Sequence, residues 1–378
     1  MNMKDLRGIE RMGNKKKLLF HINSMGKGGA ERVVSVLSEK FARDGYEVVI
    51  ATLWRAKEEY QIPEGVKRIN LGDNGSYEKA GRIRLAFRRL WDLRRLIKEE
   101  APDLVISFCN KANFRSSYCM LGMKTPLLVS VRNDPRIDYF PHKYGVRRMK
   151  KKASGCVFQT EDAKSCFDVK FQKKSKVILN PIDEKYFIAE EQRPEPSGYL
   201  VTVGRLSMQK NQLLLLKAFS LIREELPGVQ LRIYGEESDQ GIRDMLTKYV
   251  EQRHMQDSVL FMGQSSHLER EIRDAALFVL SSDYEGMPNA LMEAMAMGIP
   301  VISTDCPCKG PAELIEDGIS GLLVPVGEEK EMAYAMRRVL KDRELWKRLS
   351  RNGMEIRKKA SPDRVYKEWK AFVEEIIE

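Results

Sequence analysis

The feature that most constrains the fold is the alternation of short apolar runs with longer amphipathic segments along the whole chain. This alternation is typical of βα units, in which each buried parallel strand is followed by a helix that covers the sheet. It predicts an α/β fold. At ~100–200 residues per domain, a chain of 378 residues is long enough for two domains with separate cores.

The apolar runs that predict strands form two series, separated by a segment without periodicity. The first series lies near residues 18–23, 48–53, 66–71, 104–108, 127–131, 156–159 and 177–179. The second series lies near residues 199–203, 229–234, 259–261, 277–280, 300–303 and 321–324. Two series of this kind predict two doubly wound, Rossmann-like domains, in which ligands bind at the carboxyl ends of the strands.

The segment between the two series is rich in proline and acidic residues, as linkers are. We therefore predict an N-terminal domain at residues 1–180, a linker at 181–198 and a C-terminal domain at 199–361. The last stretch, 362–378, reads as an amphipathic helix with its apolar residues on one stripe.

The charge of the chain is unevenly distributed. The net charge is +11, with +15 in residues 1–196 and −4 in residues 197–378. A basic half implies an anionic partner, such as nucleic acid, an acidic lipid headgroup or a phosphorylated substrate. No run approaches the ~20 apolar residues needed to cross a bilayer. We therefore expect a cytoplasmic protein.

The six cysteines are too sparse and irregular to form a disulfide framework. Cys306 and Cys308 are separated by one proline, but no second cysteine pair or histidine pair completes a metal site. We expect reduced thiols and no bound metal.

The first candidate motif is glycine-rich and follows the first predicted strand. Gly26, Gly28 and Gly29 precede a predicted helix that carries Glu31 and Arg32. Glycines allow close approach of the backbone to a ligand, and a helix N-terminus offers N–H groups to an anion. A tight packing turn explains the segment equally well. The third glycine of the dinucleotide fingerprint is missing.

The second motif follows the first strand of the second series. Gly204 is followed by Arg205 and Lys210, which place two cations at the carboxyl edge of the predicted sheet. Two fixed cations suit a diphosphate. The alternative is a solvated loop with two surface charges.

The third motif contains two carboxylates eight positions apart. Glu285 lies in the loop after a predicted strand, and Glu293 lies in an otherwise apolar helix that begins near Asn289. A buried carboxylate is costly unless it is partnered, and Gly286 leaves helix N–H groups available to a sugar or phosphate. The alternative is a pair of acids at the edge of the core, satisfied by backbone amides.

In this order, the three motifs resemble those of glycosyltransferase family 4, the retaining, nucleotide-sugar-dependent enzymes with the GT-B fold. The resemblance covers nearly the whole chain. It implies two Rossmann-like domains facing a central cleft, with the last helix crossing back onto the N-terminal domain.

The resemblance also implies roles for individual residues. Glu293 would bind the donor ribose, Glu285 would hold the sugar, and Arg205 with Lys210 would neutralise the departing diphosphate. Glu285, Arg205 and Lys210 are thus the implied catalytic residues. The implied donor site is formed by Gly28, Gly29, Gly204, Arg205, Lys210, Gln264, Ser265, Glu285, Gly286, Met287, Pro288, Asn289 and Glu293.

The sequence departs from the family pattern in two places. Arg132 stands where many members have a histidine near the transferred sugar, and a guanidinium cannot act as a base. Front-face departure, in which the donor phosphate accepts the acceptor proton, does not need that histidine. The family's Gly-x-Gly loop appears here as Gly235-Glu236-Glu237.

The chain also lacks the Asp-x-Asp arrangement that other glycosyltransferases use to bind a divalent metal. Arg205 and Lys210 would replace the metal, so we expect a metal-independent enzyme without a cofactor, using a nucleotide-sugar donor.

Two basic segments lie in the N-terminal half. Residues 81–98 carry seven cations and one acid, with Ile83, Phe87, Leu90 and Ile97 on one helical stripe, and a second cluster spans 143–152. Such helices bind anionic membranes or diphosphates, but an ordinary packed helix with a solvated basic face fits equally well. The candidate acceptor or membrane residues are Arg88, Arg89, Arg95, Arg132, Arg147 and Arg148.

The resemblance is closest to bacterial transferases of capsule, exopolysaccharide, O-antigen or N-glycan assembly that act on polyprenyl-diphosphate carriers. It implies transfer of a hexose or N-acetylhexosamine from a UDP-sugar to a lipid-linked or growing polysaccharide acceptor, at the inner face of the cytoplasmic membrane. A GDP-mannose-dependent mannosyltransferase and a catalytically silent scaffold are alternatives. A nucleic-acid-binding protein is a further alternative, but the basic helices lack the interleaved aromatic residues of a stacking surface. We expect an anionic membrane surface, and not nucleic acid, as a partner.

Overall fold

A computed structural model describes residues 15–72, 81–189 and 195–378 of the chain. The chain divides into two compact units, residues 1–178 with 366–378 and residues 179–365. Residues 190–194 of the predicted linker, and residues 1–14 and 73–80 of the predicted N-terminal domain, lie outside the described residues.

The first unit contains a seven-stranded parallel sheet with the strand order β3-β2-β1-β4-β5-β6-β7. Each strand overlaps one of the predicted apolar runs, although β7 shares only Val177 with its run. The strands are β1 Lys17–His21, β2 Glu47–Thr52, β3 Val66–Asn70, β4 Leu104–Phe108, β5 Leu127–Ser130, β6 Gly155–Phe158 and β7 Ser175–Val177.

The helices of the first unit connect these strands. They are α1 Gly29–Arg43, α2 Arg82–Glu100, α3 Asn110–Cys119, α4 Pro135–Asp138, α5 Lys143–Lys152, α6 Glu161–Ser165 and α7 Val169–Gln172, with a 3₁₀ turn at Phe140–His142. Side-chain caps fix several of their starts. Thr160, for example, accepts a hydrogen bond from the Ala163 amide at 3.0 Å at the start of α6.

The second unit contains a six-stranded parallel sheet with the strand order β10-β9-β8-β11-β12-β13. Its strands are β8 Tyr199–Val203, β9 Gln230–Tyr234, β10 Val259–Gly263, β11 Leu277–Leu280, β12 Val301–Thr304 and β13 Leu322–Val324. After a 3₁₀ turn at Glu184–Tyr186, its helices are α8 Gln212–Ile222, α9 Ile242–Gln252, α10 Leu268–Glu271, α11 Asn289–Ala296, α12 Gly310–Leu314, α13 Glu329–Lys341, α14 Arg343–Gly353 and α15 Ile356–Ala360.

The last helix, α16 at Pro362–Ile377, returns to the first unit, as predicted. Trp369 is fully buried and stacks on Phe108 of β4 with ring centroids 5.6 Å apart. A Cβ at Gly155 would lie only 2.8 Å from the side chains of Phe372 and Ile376. The apolar stripe of α16 is therefore fitted closely to the first sheet.

Helix α2 does not pack as its predicted apolar stripe would require. Ile83 and Phe87 are 77% and 69% exposed, whereas Leu93, Leu96 and Ile97 are buried. The buried stripe lies on the C-terminal half of the helix. Ile83 and Phe87, near its start, are not covered by other residues of the first unit.

Both sheets have a doubly wound order with one reversal of direction. The reversal lies between β1 and β4 in the first sheet and between β8 and β11 in the second. Loops that follow these strands diverge, and the space between them is where ligands bind in open α/β sheets. Among the helices of the described ranges, none is long and apolar enough to cross a membrane.

Candidate active site

The candidate site of the second unit is formed by the loops that follow β8 and β11. These strands are neighbours, with Leu200 opposite Leu277 and Val201 opposite Phe278. Because both strands are parallel, the loops that carry Arg205 with Lys210 and Ser282 with Glu285 leave the same edge of the sheet side by side.

The central contact between the two loops is an ion pair. The Nζ atom of Lys210 lies 2.5 Å from Oε1 of Glu285, and the Ser282 hydroxyl donates to the same oxygen at 2.6 Å. The side chains of Lys210 and Glu285 are only 17% and 7% exposed. The pair therefore presents a positioned ammonium group at the carboxyl edge of the sheet, and its low exposure strengthens the interaction.

Further hydrogen bonds hold the two loops in register. The Asp283 amide donates to the Gln209 carbonyl at 2.9 Å, and the Gln209 side chain donates to the Tyr284 carbonyl at 3.0 Å. Asn211 donates to the Asp283 carboxylate at 2.7 Å, while its side-chain oxygen accepts from the Leu214 amide at the start of α8. Lys210 is thus placed by the cap of a helix as well as by Glu285.

Two glycines allow neighbouring loops to approach this site. Gly235, after β9, has a φ of +138°, and a Cβ there would overlap the carbonyl oxygen of Gly204. A Cβ at Gly310, at the start of α12, would overlap the carbonyl oxygen of Gly286. Only residues without a side chain permit these backbone contacts.

Helix α11 begins directly after the Glu285 loop and carries the second carboxylate of the motif. Asn289, its first residue, accepts a hydrogen bond from the Asn180 side chain at 2.6 Å. Glu293, one turn later, is 5% exposed and is not without an interaction partner.

Arg205 differs from Lys210 in its surroundings. Its side chain is exposed and forms no hydrogen bond or ion pair with any described residue, while its carbonyl accepts from Gln212 at 2.8 Å. The guanidinium is therefore available to a ligand at the same sheet edge. The structure brings Gly204, Arg205, Lys210, Glu285 and the loop from Gly286 to Asn289 together, as the motifs suggested.

The loop predicted to read the base follows β10, two strands away from β8. Gln264 is exposed, and Ser265 donates to Glu271 at 2.6 Å. The Gly235 amide donates to the Gly263 carbonyl at 2.8 Å, which links this loop to the one after β9. No group of three or more His, Cys, Asp or Glu residues that could hold a metal ion occurs within the part of the chain that the structure describes.

Sequence reasoning missed several residues that shape this site. Ser282 shares Glu285 with Lys210, and Gly310 supports the loop at Gly286. The sequence signal that could have identified Ser282 is its position three residues before Glu285. Burial, and then the charge of Glu285, raise the pKa of the Cys306 thiol to about 12, so this cysteine is uncharged beside the site.

The glycine-rich motif of the first unit lies at the carboxyl end of β1. Gly28 is the N-cap of α1, and Gly29 is the first residue of that helix. A Cβ at Gly28 would overlap the carboxylate of Glu31, which folds back from the first turn. The side chain of Glu31 therefore fills the space beside Gly28 that the missing Cβ leaves open.

The six arginines predicted to face an acceptor or membrane differ in their environments. Arg88 and Arg95 lie on α2 within 3.9 Å and 3.7 Å of Asp92 and Glu99. Arg147 is exposed, and Arg148 donates to the Ser117 carbonyl at 3.0 Å. The Arg89 guanidinium lies 5.8 Å from the centroid of the Trp54 ring. The guanidinium of Arg132 is buried. The buried guanidinium of Arg132 does not lie on a surface that a membrane could contact, and its candidate role toward an acceptor stays a prediction.

Two family models match the chain. The model described as Glycosyltransferase Family 4 matches residues 27–186, and the model described as Glycosyl transferases group 1 matches residues 183–356. Among curated proteins, an α-1,4-N-acetyl-D-galactosaminyltransferase of Campylobacter jejuni, named for a PP-undecaprenol-linked substrate, is 26% identical over 95% of this chain and 99% of its own length.

Solved structures show the same fold. HepE of Anabaena in complex with UDP-glucose has a TM-score of 0.79 and 18% identity, over 95% of this chain and 99% of that chain. A sucrose-phosphate synthase of Thermosynechococcus elongatus has a TM-score of 0.81 and 18% identity, over 96% and 99% of the two chains.

Two doubly wound parallel units with a returning C-terminal helix, together with these structural neighbours, define the GT-B class of glycosyltransferases. The family matches extend across both units in the expected order. The two matches confirm the resemblance to glycosyltransferase family 4 that the motifs indicated.

Proposed function

We propose that this glycosyltransferase moves a hexose or N-acetylhexosamine from a UDP-sugar to a polyprenyl-diphosphate-linked or growing polysaccharide acceptor, with retention of configuration, in bacterial surface glycan synthesis. The observation that carries the proposal is the arrangement of Lys210, Glu285 and Arg205 at one sheet edge. UDP-glucose bound to HepE and the PP-undecaprenol substrate named for the Campylobacter relative support the choice of donor and acceptor.

The proposed donor site uses two cations for the diphosphate. Lys210 is already positioned by Glu285, and Arg205 is exposed without a partner in the described structure. Charge develops on the diphosphate as it leaves the sugar, and fixed cations stabilise that charge without reorganisation. In this proposal the two side chains take the role of a metal ion, and Glu293 holds the ribose.

In the proposed single-step mechanism, the acceptor attacks from the face that the diphosphate leaves, which retains the configuration. The departing phosphate oxygen then accepts the proton of the acceptor hydroxyl, so no side chain has to act as the base. The neutral thiol of Cys306, whose pKa burial raises to about 12, does not serve as a base either. Glu285 acts by holding Lys210 and the sugar.

Binding of the donor is tested by thermal denaturation with UDP, GDP, ADP and their sugars, without added metal. A ligand at 100 times its Kd stabilises the folded protein by ~2.7 kcal/mol. The proposal predicts that UDP compounds raise the Tm and that Arg205→Ala, which should weaken binding about tenfold, removes about half of the shift. Arg223→Ala is the matched control, because Arg223 lies at the end of α8 in the same unit, away from the site.

The outcomes separate the candidate functions. A shift with GDP compounds alone would replace the UDP proposal with a mannosyltransferase using GDP-mannose. The absence of any shift would contradict the donor site. Unchanged glycan production in cells that carry Glu293→Gln would favour a catalytically silent scaffold.

We also propose that the first unit binds the inner face of the cytoplasmic membrane through the start of α2. Ile83, Phe87 and Trp91 are 77%, 69% and 69% exposed and follow each other at four-residue spacing. Arg88 and Arg95 lie on the same helix. An apolar stripe beside cations is the surface that an anionic bilayer binds.

Vesicle flotation tests this membrane contact. The intact chain should float with vesicles of one part phosphatidylglycerol to three parts phosphatidylethanolamine, and Phe87→Ala combined with Trp91→Ala should reduce the bound fraction several-fold. Tyr334→Ala, which removes an exposed aromatic ring from α13 of the second unit, should not. Binding to duplex DNA instead of vesicles would contradict the proposal and favour a nucleic-acid partner.

A further inference from the structure

Arg132 has the most unusual electrostatic environment among the described cations. It follows β5 at the carboxyl edge of the first sheet, and its Nε, Nη1 and Nη2 atoms are all buried without a hydrogen-bond partner. A guanidinium has five N–H donors. Leaving all of them unsatisfied away from water is costly.

The residues around Arg132 do not compensate its charge. Its Cζ atom lies 5.2 Å from the centroid of the Phe108 ring, a contact worth less than the hydration that burial removes. Burial lowers the pKa of Arg132 to about 10, and the electrostatic effects of Cys109, Tyr139 and Glu31 oppose the shift only in part. Glu31 itself folds over Gly28 and accepts no hydrogen bond from Arg132.

Neighbouring acids are engaged elsewhere. Asp134, two residues further along the chain, caps α4 and pairs with Arg136 at 3.3 Å. Arg136 in turn pairs with Asp162 at 2.8 Å. The same segment thus contains one arginine with two carboxylate partners and another, Arg132, without any.

Arg132 lies at the carboxyl edge of the sheet, which is the edge at which doubly wound sheets bind ligands. Strand β5 lies next to β4, and the guanidinium over Phe108 reaches back toward the end of β4, beside the reversal of strand order. Cys109, directly after Phe108, has a φ of +70°, so the backbone turns away sharply at this point. An arginine fork in such a place matches the two oxygens of one carboxylate or phosphate.

We propose that Arg132 is a binding residue for an oxyanion of the substrate, either the carboxylate of an acidic sugar or a phosphate group. The inference rests on the proposed function for the kind of substrate and deepens it, because it assigns an acidic group to a ligand of the first unit. The oxyanion replaces the atoms that cover the guanidinium and supplies the hydrogen-bond acceptors that the protein does not provide.

The experiment uses Arg132→Met in the full chain, with Arg136→Met as the matched control. The first arm measures the affinity for UDP-glucuronate and for UDP-glucose. The second arm measures the affinity for pyrophosphate in an Arg205→Ala background, which removes one cation of the proposed diphosphate site. In one of the two arms, Arg132→Met should weaken binding of the anionic probe at least tenfold, and Arg136→Met should leave it within twofold.

The affected arm identifies the source of the oxyanion. Loss of the preference for UDP-glucuronate over UDP-glucose identifies a sugar carboxylate, and loss of pyrophosphate affinity identifies a phosphate. The Tm of the free protein is the second readout. Arg132→Met removes an unpaired buried charge, so its Tm should equal or exceed that of the wild type. Arg132→Lys is measured alongside it as the conservative variant.

Two results would overturn the inference. One is binding of both anionic probes with the same affinity by the wild type and Arg132→Met. The other is a fall of several degrees in the Tm of Arg132→Met, which would show that Arg132 has a structural role. Binding of UDP by Arg132→Met separates this test from that of the proposed function, because the nucleotide depends on Arg205 and Lys210 of the second unit.

Discussion

The two units each place a poorly accessible cation at the carboxyl edge of a parallel sheet, but they treat the charge in opposite ways. In the second unit, Lys210 lies 2.5 Å from Glu285, which also accepts from Ser282. In the first unit, the guanidinium of Arg132 has no hydrogen-bond acceptor among the described residues. One cation is satisfied before any ligand binds, and the other is not.

This difference shows that an unpaired cation depends on the ligand for its electrostatic partner, whereas a paired cation does not. A paired ammonium keeps its position in the free protein, and the ligand adds to an existing arrangement. An unpaired, desolvated guanidinium destabilises the free protein and gains its partner only from the ligand. Substitutions at the two sites should therefore change stability in opposite directions.

The largest effect is expected from Lys210→Met. This substitution leaves Glu285, which is 7% exposed, without its cation. Removal of one partner of a buried pair costs ~3 kcal/mol or somewhat more, and the exposed part of Lys210 places this case at the lower end. Urea denaturation should show a fall of about this size, and UDP binding should be lost.

Lys309→Met is the matched control for that prediction. Lys309 pairs with Asp305 at 2.7 Å, but its side chain is 48% exposed. Exposed pairs contribute ~0–1 kcal/mol. If both lysine variants lost the same stability, the Lys210 pair would not be a special feature of the site.

The next effect concerns the glycine beneath the Glu285 loop. A Cβ introduced by Gly310→Ala would overlap the Gly286 carbonyl oxygen and displace the loop. Overpacking of this kind costs ~2 kcal/mol, and the displaced loop should bind UDP more weakly. In Gly198→Ala, the added Cβ would lie 3.8 Å from the nearest atom outside the neighbouring residues, so this variant should keep both properties.

A smaller effect is expected from Arg205→Ala, and it should appear in binding alone. Arg205 is exposed and has no partner in the described structure, so its removal should change stability by less than ~0.5 kcal/mol. Calorimetric titration with UDP should show a Kd raised by about tenfold, which corresponds to ~1.4 kcal/mol. A loss of stability without loss of affinity would remove Arg205 from the donor site.

The smallest effect is expected at an exposed pair of the first unit. Lys370 and Tyr366 donate to Asp44 and hold the pKa of its carboxyl below the usual range, and Asp44 raises the pKa of Lys370. The stabilisation should therefore be present above about pH 4, lost as the pH falls through the folded pKa of Asp44, and lost again above the usual pKa of lysine.

The size of this effect is limited by solvent. The side chains of Lys370 and Asp44 are 34% and 36% exposed, so the pair should contribute at most ~0.5 kcal/mol. Denaturation of Lys370→Met at pH 7 and pH 3 should show a deficit at pH 7 that is smaller at pH 3, because Asp44 becomes protonated as the pH falls through its lowered pKa. An equal deficit at both pH values would mean that the lysine stem, and not its charge, stabilises this surface.

The strands could be predicted from the sequence because parallel strands are buried on both faces. Continuous apolar runs such as Leu277–Leu280 therefore mark strands directly, and all thirteen strands in the described ranges overlap predicted runs. The order of motifs placed Lys210 and Glu285 after strands of one sheet. It could not show that these two side chains, 75 residues apart, touch each other.

The sequence left the environment of some residues open, because that environment depends on tertiary packing. Ile83 and Phe87 belong to an apolar stripe by spacing but are exposed, because Leu93, Leu96 and Ile97 form the contact of α2 with the unit. The sequence named Arg132 as a candidate acceptor or membrane residue, but it could not show that the fold buries the guanidinium over Phe108. Periodicity gives the face of a helix, but not which part of that face is covered.

The most direct test of the central claim is release of UDP in the presence of an acceptor. The purified chain is incubated with a panel of UDP-hexoses and UDP-N-acetylhexosamines and with undecaprenyl-diphosphate-linked saccharides from bacterial membranes. We predict UDP release that requires the lipid-linked acceptor, a product with the α configuration of the donor, and a loss of ~100-fold or more in Glu285→Gln, because Lys210 loses its charged partner. Transfer from GDP-sugars alone, or equal rates in the wild type and Glu285→Gln, would contradict the account.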